Sequence, residues 1–304
     1  MAEQRRPSKY LRFLCTAYLL LSLIVQWVFV WVTQVIFIVV SFPFTTSEFR
    51  QDICGHIFRK VSFVGMDLLN PFWHIHVLNK FPKVKSKKVI LMLNHLSGAD
   101  PFVSIRSFLP RDGTWIAKAG LFRVPFGGWA LYNSGDLPVH FRDKKTGFAT
   151  VKGTVGPMME SARMRLRRGR MLCVFPEGVR NMNPDGPLNP FRLGFFSLAV
   201  DEGATIVPLA VSGTEKLWPR GSALMDAADA YFSFGDPVDA RDFKSAEELS
   251  QHVWNVITEL REKHPDRAEL HSRQAKATAG SPSAPASLDR NGLGLHTNAP
   301  TNGQ

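Results

Sequence analysis

Cysteine is scarce in this chain. Cys15, Cys54 and Cys173 are the only three in 304 residues, and they form neither a CxxC pair nor a regular spacing. That pattern argues against a disulfide framework and against a metal site. No Asn-x-Ser/Thr sequon occurs, so nothing marks a glycosylated, secreted protein. A Gly-x-Ser-x-Gly elbow is missing as well, which removes the usual signature of a serine hydrolase. Acidic residues are outnumbered, with 26 Asp and Glu against 37 Lys and Arg, giving a net charge of +11 and a pI of about 9.8. A chain so basic calls for an anionic partner, either nucleic acid or a membrane surface.

Charge is absent altogether from Phe13 to Ser47, and residues 13–40 are strongly apolar. A helix over that run would be about 42 Å long, against about 30 Å of bilayer hydrocarbon. It overshoots a signal-peptide core of about 7–15 residues. Residues 1–44 are therefore expected to be a membrane anchor, as one tilted span or as a two-helix hairpin broken near Gln26 or Thr33–Gln34. Trp27 and Trp31 would sit near an interface. With such a segment in the chain, membrane lipids are the expected partner and nucleic acid is not. Arg5, Arg6, Lys9 and Arg12 precede the segment, and Arg50, Arg59 and Lys60 follow it. That bias weakly favours a cytoplasmic N-terminus, and in the hairpin both flanks are cytoplasmic.

Residues 45–85 read as a connecting region punctuated by Pro43, Pro71 and Pro82. Short apolar runs then suit strands buried on both faces: Val89–Leu93, Thr114–Ala117, Met171–Phe175 and Ile206–Val211. Tyr231–Phe234 reads as another, nearer an edge. Helical stretches lie between them, one around Met158–Arg168 that stops at Gly169. A last helix opens on a capping box at Ser245 and Glu248 and places Leu249, Val253, Val256, Ile257 and Leu260 on one face. The alternation predicts an α/β class, a largely parallel mixed sheet flanked by helices, over residues 86–265. Residues 266–304 are rich in Ala, Ser, Pro, Gly and Asn and are expected to be disordered.

In α/β sheets, reactive groups gather at the carboxyl ends of strands. Val89–Leu93 opens into Asn94-His95-Leu96-Ser97-Gly98-Ala99-Asp100-Pro101, and Met171–Val174 opens into Phe175-Pro176-Glu177-Gly178-Val179-Arg180. Histidine has the pKa of a general base at neutral pH, and a carboxylate on its second ring nitrogen would fix the tautomer. The same residues also have a plain structural reading: Asp-Pro starts many helices, with Asp as N-cap, and a His-Asp spacing arises by chance. Gly178 would let backbone approach a ligand, and Arg180 offers a planar fork suited to phosphate. The arginines 163, 165, 167, 168 and 170 read as a solvated helix face or as a contact for anionic headgroups.

Together these stretches resemble the glycerolipid acyltransferase superfamily, which includes the 1-acylglycerol-3-phosphate acyltransferases. The Asn-His-x4-Asp motif is complete at Asn94, His95 and Asp100. The Phe-Pro-Glu-Gly motif is complete at Phe175, Pro176, Glu177 and Gly178, followed by Arg180. The apolar block around a proline matches Val207-Pro208-Leu209, Phe191–Phe195 matches a basic–glycine stretch, and Lys118–Gly127 the segment after the second strand. Val179 stands where Thr is usual and Asn181 where Ser is usual, and the Gly135–Arg142 block is longer by one residue.

The resemblance implies transfer of a fatty acyl group from acyl-CoA to the sn-2 hydroxyl of lysophosphatidic acid. Glycerol 3-phosphate or another lysophospholipid is the alternative acceptor, and a non-catalytic membrane-anchored lipid binder the alternative of another class. It assigns His95 as base, Asp100 as its orienter, and Glu177, Gly178, Arg180, Arg142 and Lys118 to the substrates. Asn94, Phe175, Pro176 and Pro208 support the motifs. It implies no cofactor beyond acyl-CoA as co-substrate, no metal and no obligate protein partner. The expected location is the endoplasmic reticulum membrane in a eukaryote or the inner membrane in a bacterium, with the catalytic domain facing the cytoplasm.

Overall fold

The computed structural model describes residues 8–142 and 149–279. Two long helices come first, α1 (Lys9–Ser41) and α2 (Ser47–Phe63), then a π-helical turn at Val64–Leu68. Strand β1 (Trp73–Val77), strand β2 (Val89–Leu93), helices α3 (Asp100–Val103) and α4 (Ile105–Phe108), and strand β3 (Gly113–Lys118) follow. Next come α5 (Gly127–Asn133), β4 (Leu137–Val139), α6 (Val155–Arg167), β5 (Met171–Val174), α7 (Gly194–Glu202) and β6 (Thr205–Ser212). The chain continues through α8 (Thr214–Leu217), β7 (Ala228–Phe234), β8 (Val238–Asp239), α9 (Ala246–Glu262) and α10 (Pro265–Ala279).

The strands form one sheet in the order β1-β7-β6-β2-β5-β3-β4, with β8 also pairing to β6. All neighbours are parallel except β6–β7 and β6–β8, so the sheet is mixed and largely parallel, as the alternation predicts. Period-two alternation in β2 explains why its run is apolar throughout. Leu91 and Leu93 face a core shared with Cys15, Leu19 and Leu23 of α1 and Val103 of α3. Ile90 and Met92 face a second core built with α6, α7 and α9, where Leu249, Val253 and Ile257 are fully buried. The Ser245 hydroxyl accepts the Glu248 N–H (3.2 Å), while the Glu248 carboxylate reaches the N–H of Lys244. Pro208 stands in the interior of β6 between the segments that pair with β8 and with β7. A missing N–H is tolerated at such a break, and the Pro208 carbonyl accepts from Gly235 (2.9 Å).

Several expectations are corrected. Residues 45–85 are more than a connector: they supply α2 and the edge strand β1, where Trp73 and Ile75 point inward and His74 and His76 outward. β1 lies outside β7, so the strand containing Tyr231–Phe234 stands second from the edge of the sheet, near it as expected. A five-residue strand between prolines carries too little periodicity to stand out. Helix α1 runs unbroken through Gln26 and Thr33–Gln34. Both glutamines are buried: Gln26 bonds Ser22, and Gln34 donates to the carbonyls of Cys54 and Ala130 and to the Ser134 hydroxyl. Trp31 packs on Phe126 and Trp129.

The chain forms one unit to Ala268 and a second from Glu269. Residues 265–279 are helical, against the expectation of disorder from 266 onward. Pro265 sits at the helix start, and Ala, Glu, Leu, Arg, Gln and Lys follow, all good helix formers that the average over a long tail concealed. The rest of that expected tail, 280–304, lies outside the described residues.

Candidate active site

The end of β2 is fixed before any reactive group is reached. Asn94, fully buried, donates to the Val211 carbonyl (2.9 Å) and accepts the Val211 N–H (2.8 Å), tying the loop to β6. The backbone of His95 is gripped on both sides by the loop after β5. Its N–H donates to Glu177 Oε1 (2.8 Å), and its carbonyl accepts from Asn181 (2.7 Å).

His95 Nδ1 lies 2.7 Å from Asp100 Oδ2, and the same oxygen accepts the N–H groups of Leu96 (2.7 Å) and Ser97 (2.9 Å). Asp100 is the first residue of α3 and Ala99 its N-cap, so this carboxylate turns back to the histidine instead of capping the helix. The His95 ring stacks on Phe175 at 4.0 Å. With Nδ1 held by a fully buried carboxylate, Nε2 is the nitrogen left for a ligand.

Glu177 is 2% exposed, its other oxygen accepting the Asn189 N–H (3.0 Å). Burial pushes its pKa up to about 7, against the lowering effect of the two backbone donors. Its expected place among substrate contacts is thus corrected: it braces His95. Gly178 has φ +68°, and a Cβ there would fall 2.4 Å from Arg192 Nε. The glycine therefore makes room for Arg192, and it also lines the cavity that Arg192 borders.

Two cavities meet at His95, Lys118, Phe175 and Arg180. One, of about 490 Å³, is mainly apolar and runs among Leu23 and Trp27 of α1, Phe58 of α2, Trp115 and Leu131. The other, of about 380 Å³, is lined by Arg180, Arg192 and Arg220, with Met158, Met159 and Phe195. Partial burial, and then the neighbouring Arg220, hold the Arg180 guanidinium below its usual pKa.

Arg142 does not line either cavity. Val139 and Phe141 line the basic one, and alternation along the extended chain turns Arg142 away, leaving it exposed. Arg192 and Arg220 stand where Arg142 was expected. Arg192 lies in the Phe191–Phe195 stretch, so a signal existed for it, whereas Arg220 and Trp218 follow no motif. Arg163 and Arg167 bind Glu202, Arg168 approaches Glu48, and Arg170 pairs with Asp52 and Asp112, so much of that basic cluster is matched by carboxylates.

Residues 74–212 match the model of the Acyltransferase family. The chain is 31% identical over 154 residues to a chloroplast 1-acyl-sn-glycerol-3-phosphate acyltransferase of Arabidopsis thaliana, covering 50% of this chain and 40% of that one. It is 35% identical over 131 residues to the Saccharomyces cerevisiae 1-acyl-sn-glycerol-3-phosphate acyltransferase, covering 43% of this chain and 41% of the relative. It thus spans less than half the length of these relatives. The crystal structure of the 1-acyl-sn-glycerophosphate acyltransferase of Thermotoga maritima shares the fold, with TM-score 0.64 and 23% identity over 87% of this chain and 96% of that one. His95, Asp100, Glu177, Arg180 and Arg192 all fall inside residues 74–212, the segment that matches the model of the Acyltransferase family.

Proposed function

We propose that this chain transfers a fatty acyl group from acyl-CoA to the sn-2 hydroxyl of lysophosphatidic acid, forming phosphatidic acid. The observation that carries the reading is the meeting of an apolar and a basic cavity at a histidine bonded to a buried aspartate. An acyl chain suits the first and an anionic phosphate the second. The activity for which these relatives are named supports the reading.

His95 is the general base and Asp100 its orienter. The acceptor oxygen attacks the thioester carbonyl carbon as its proton passes to Nε2. Collapse of the tetrahedral intermediate breaks the C–S bond, and the proton leaves with the thiolate of coenzyme A. The substrate hydroxyl is the nucleophile, so no acyl-enzyme forms. Lys118 and Arg180, which border both cavities, hold the anionic parts of the substrates. The chain works at a membrane, with the outer face of α1 in lipid.

Purified protein in detergent, given radiolabelled acyl-CoA and lysophosphatidic acid, should form labelled phosphatidic acid. Glycerol 3-phosphate and other lysophospholipids should be poorer acceptors, and acyl-carrier protein a poorer donor. A folded preparation that labels none of the acceptors would overturn the reading in favour of a lipid binder.

A further inference from the structure

The basic cavity is completed from outside the matched residues 74–212. After β6, the segment through Trp218 and Arg220 crosses the point where the two cavities meet. Trp218 lines the apolar cavity and Arg220 the basic one. The segment is fastened along its length. The Trp218 carbonyl accepts the Ser97 hydroxyl (3.0 Å), and the indole lies against Gly98, where a Cβ would sit 3.4 Å from it. Arg220 Nη1 donates to the Arg180 carbonyl at 3.1 Å. Further on, the Met225 N–H donates to Thr16 Oγ1 of α1 (2.8 Å), and Asp226 pairs with Arg12.

Arg180, Arg192 and Arg220 thus line one cavity that no carboxylate lines among the described residues. Each guanidinium attracts a ligand in proportion to the ligand's charge. A phosphate monoester near neutral pH carries close to two charges and a diester one, so an added arginine favours the monoester about twice as strongly in energy. We propose that Arg220 is a specificity-determining residue, making the site select acceptors whose phosphate is a monoester over those whose phosphate is a diester. This rests on the acyltransfer reading above. Coenzyme A also carries a phosphate monoester on its ribose, so the test must separate acceptor from donor.

Wild type, Arg220→Gln and Arg220→Lys are compared at fixed ionic strength with lysophosphatidic acid and lysophosphatidylglycerol, using acyl-CoA and its dephospho analogue. Arg220→Gln should lower the monoester-to-diester ratio of kcat/KM by about tenfold or more through the acceptor KM. The donor KM should hold, and Arg220→Lys should restore part of the ratio because it keeps the charge without the fork. Equal losses on both acceptors would mean that Arg220 only shapes the Arg180 loop and would overturn the proposal. So would a loss on the donor KM that vanishes with dephospho-CoA. Equilibrium binding of lysophosphatidic acid separates the two readings. If the wild type binds but does not turn over, and Arg220→Gln weakens that binding selectively, acyltransfer falls and the selectivity stands. Turnover with an unchanged ratio sinks the selectivity alone.

Discussion

Asp100 Oδ2 has three partners, the His95 ring and the N–H groups of Leu96 and Ser97, so one atom both orients the base and folds the loop that carries it. The two roles can be separated by substitution. His95→Ala should lower turnover by at least about a hundredfold with the thermal midpoint little changed, since it removes the proton acceptor and leaves the backbone clamps. Asp100→Asn keeps an oxygen for the two N–H donors but loses the charge that stabilises an imidazolium. It should cost turnover nearly as much and stability less than Asp100→Ala, which leaves buried donors unpaired. Steady-state rates paired with unfolding curves check both, and a His95→Ala protein with near-normal rates would remove the base from the mechanism. The His-x4-Asp spacing was legible in the sequence. That Glu177 faces the backbone of His95 was not, because which way a loop carboxylate turns depends on donors 82 and 12 residues away.

Helix α1 has two apolar faces with different duties. Cys15, Leu19, Leu23 and Val30 are buried against the domain, while Phe29 and Ile36 are 58% and 59% exposed. Phe29→Asp combined with Ile36→Asp should loosen membrane attachment, since a carboxylate in the hydrocarbon core costs about 2.5–3.5 kcal/mol. The released fraction after carbonate washing should rise while turnover in detergent is retained, and unchanged fractionation would place that face outside the lipid. The inner face reaches the site: Trp27 lines the apolar cavity beside Leu23. Trp27→Ala should enlarge it and shift preference toward longer acyl-CoA chains by about tenfold or more, read from competition between chain lengths. Apolarity over residues 13–40 announced an anchor, yet it could not say that one side of the helix is a wall of the cavity. Only the glutamines hinted at it. Gln26 and Gln34 lie on the side that is buried, where polar groups find partners in α2 and α5 or within α1.

Across the molecule, two buried groups couple stability to pH in opposite senses. Burial raises Glu177 to about 7 from 4.5, so between those values the folded chain holds a proton that the unfolded chain has released. Its contribution to stability falls as pH rises through that window. His264, bonded on both ring nitrogens to Ser212 (2.7 Å) and Ser233 (2.6 Å), is lowered to about 4 from 6.5, chiefly by burial. There the unfolded chain binds the extra proton, and the contribution is lost as pH falls from about 6.5 toward 4. Between pH 4.5 and 6.5, Glu177→Gln should gain stability relative to wild type as pH rises, and His264→Gln should gain as pH falls. Denaturant titrations across that range measure both slopes, and parallel curves would refute the linkage. The sequence by itself determined the alternation of strands and helices, the reactive loops at two strand ends and the apolar N-terminal helix, because periodicity, turn residues and short motifs are local properties. Tertiary structure decided which cations share a cavity. Arg142, beyond the end of β4, is turned out by the alternation of the extended chain, while Arg220, well along the chain after β6, is brought in by a segment fastened to Ser97 and α1. Such convergence depends on contacts between distant segments, and no local pattern encodes it.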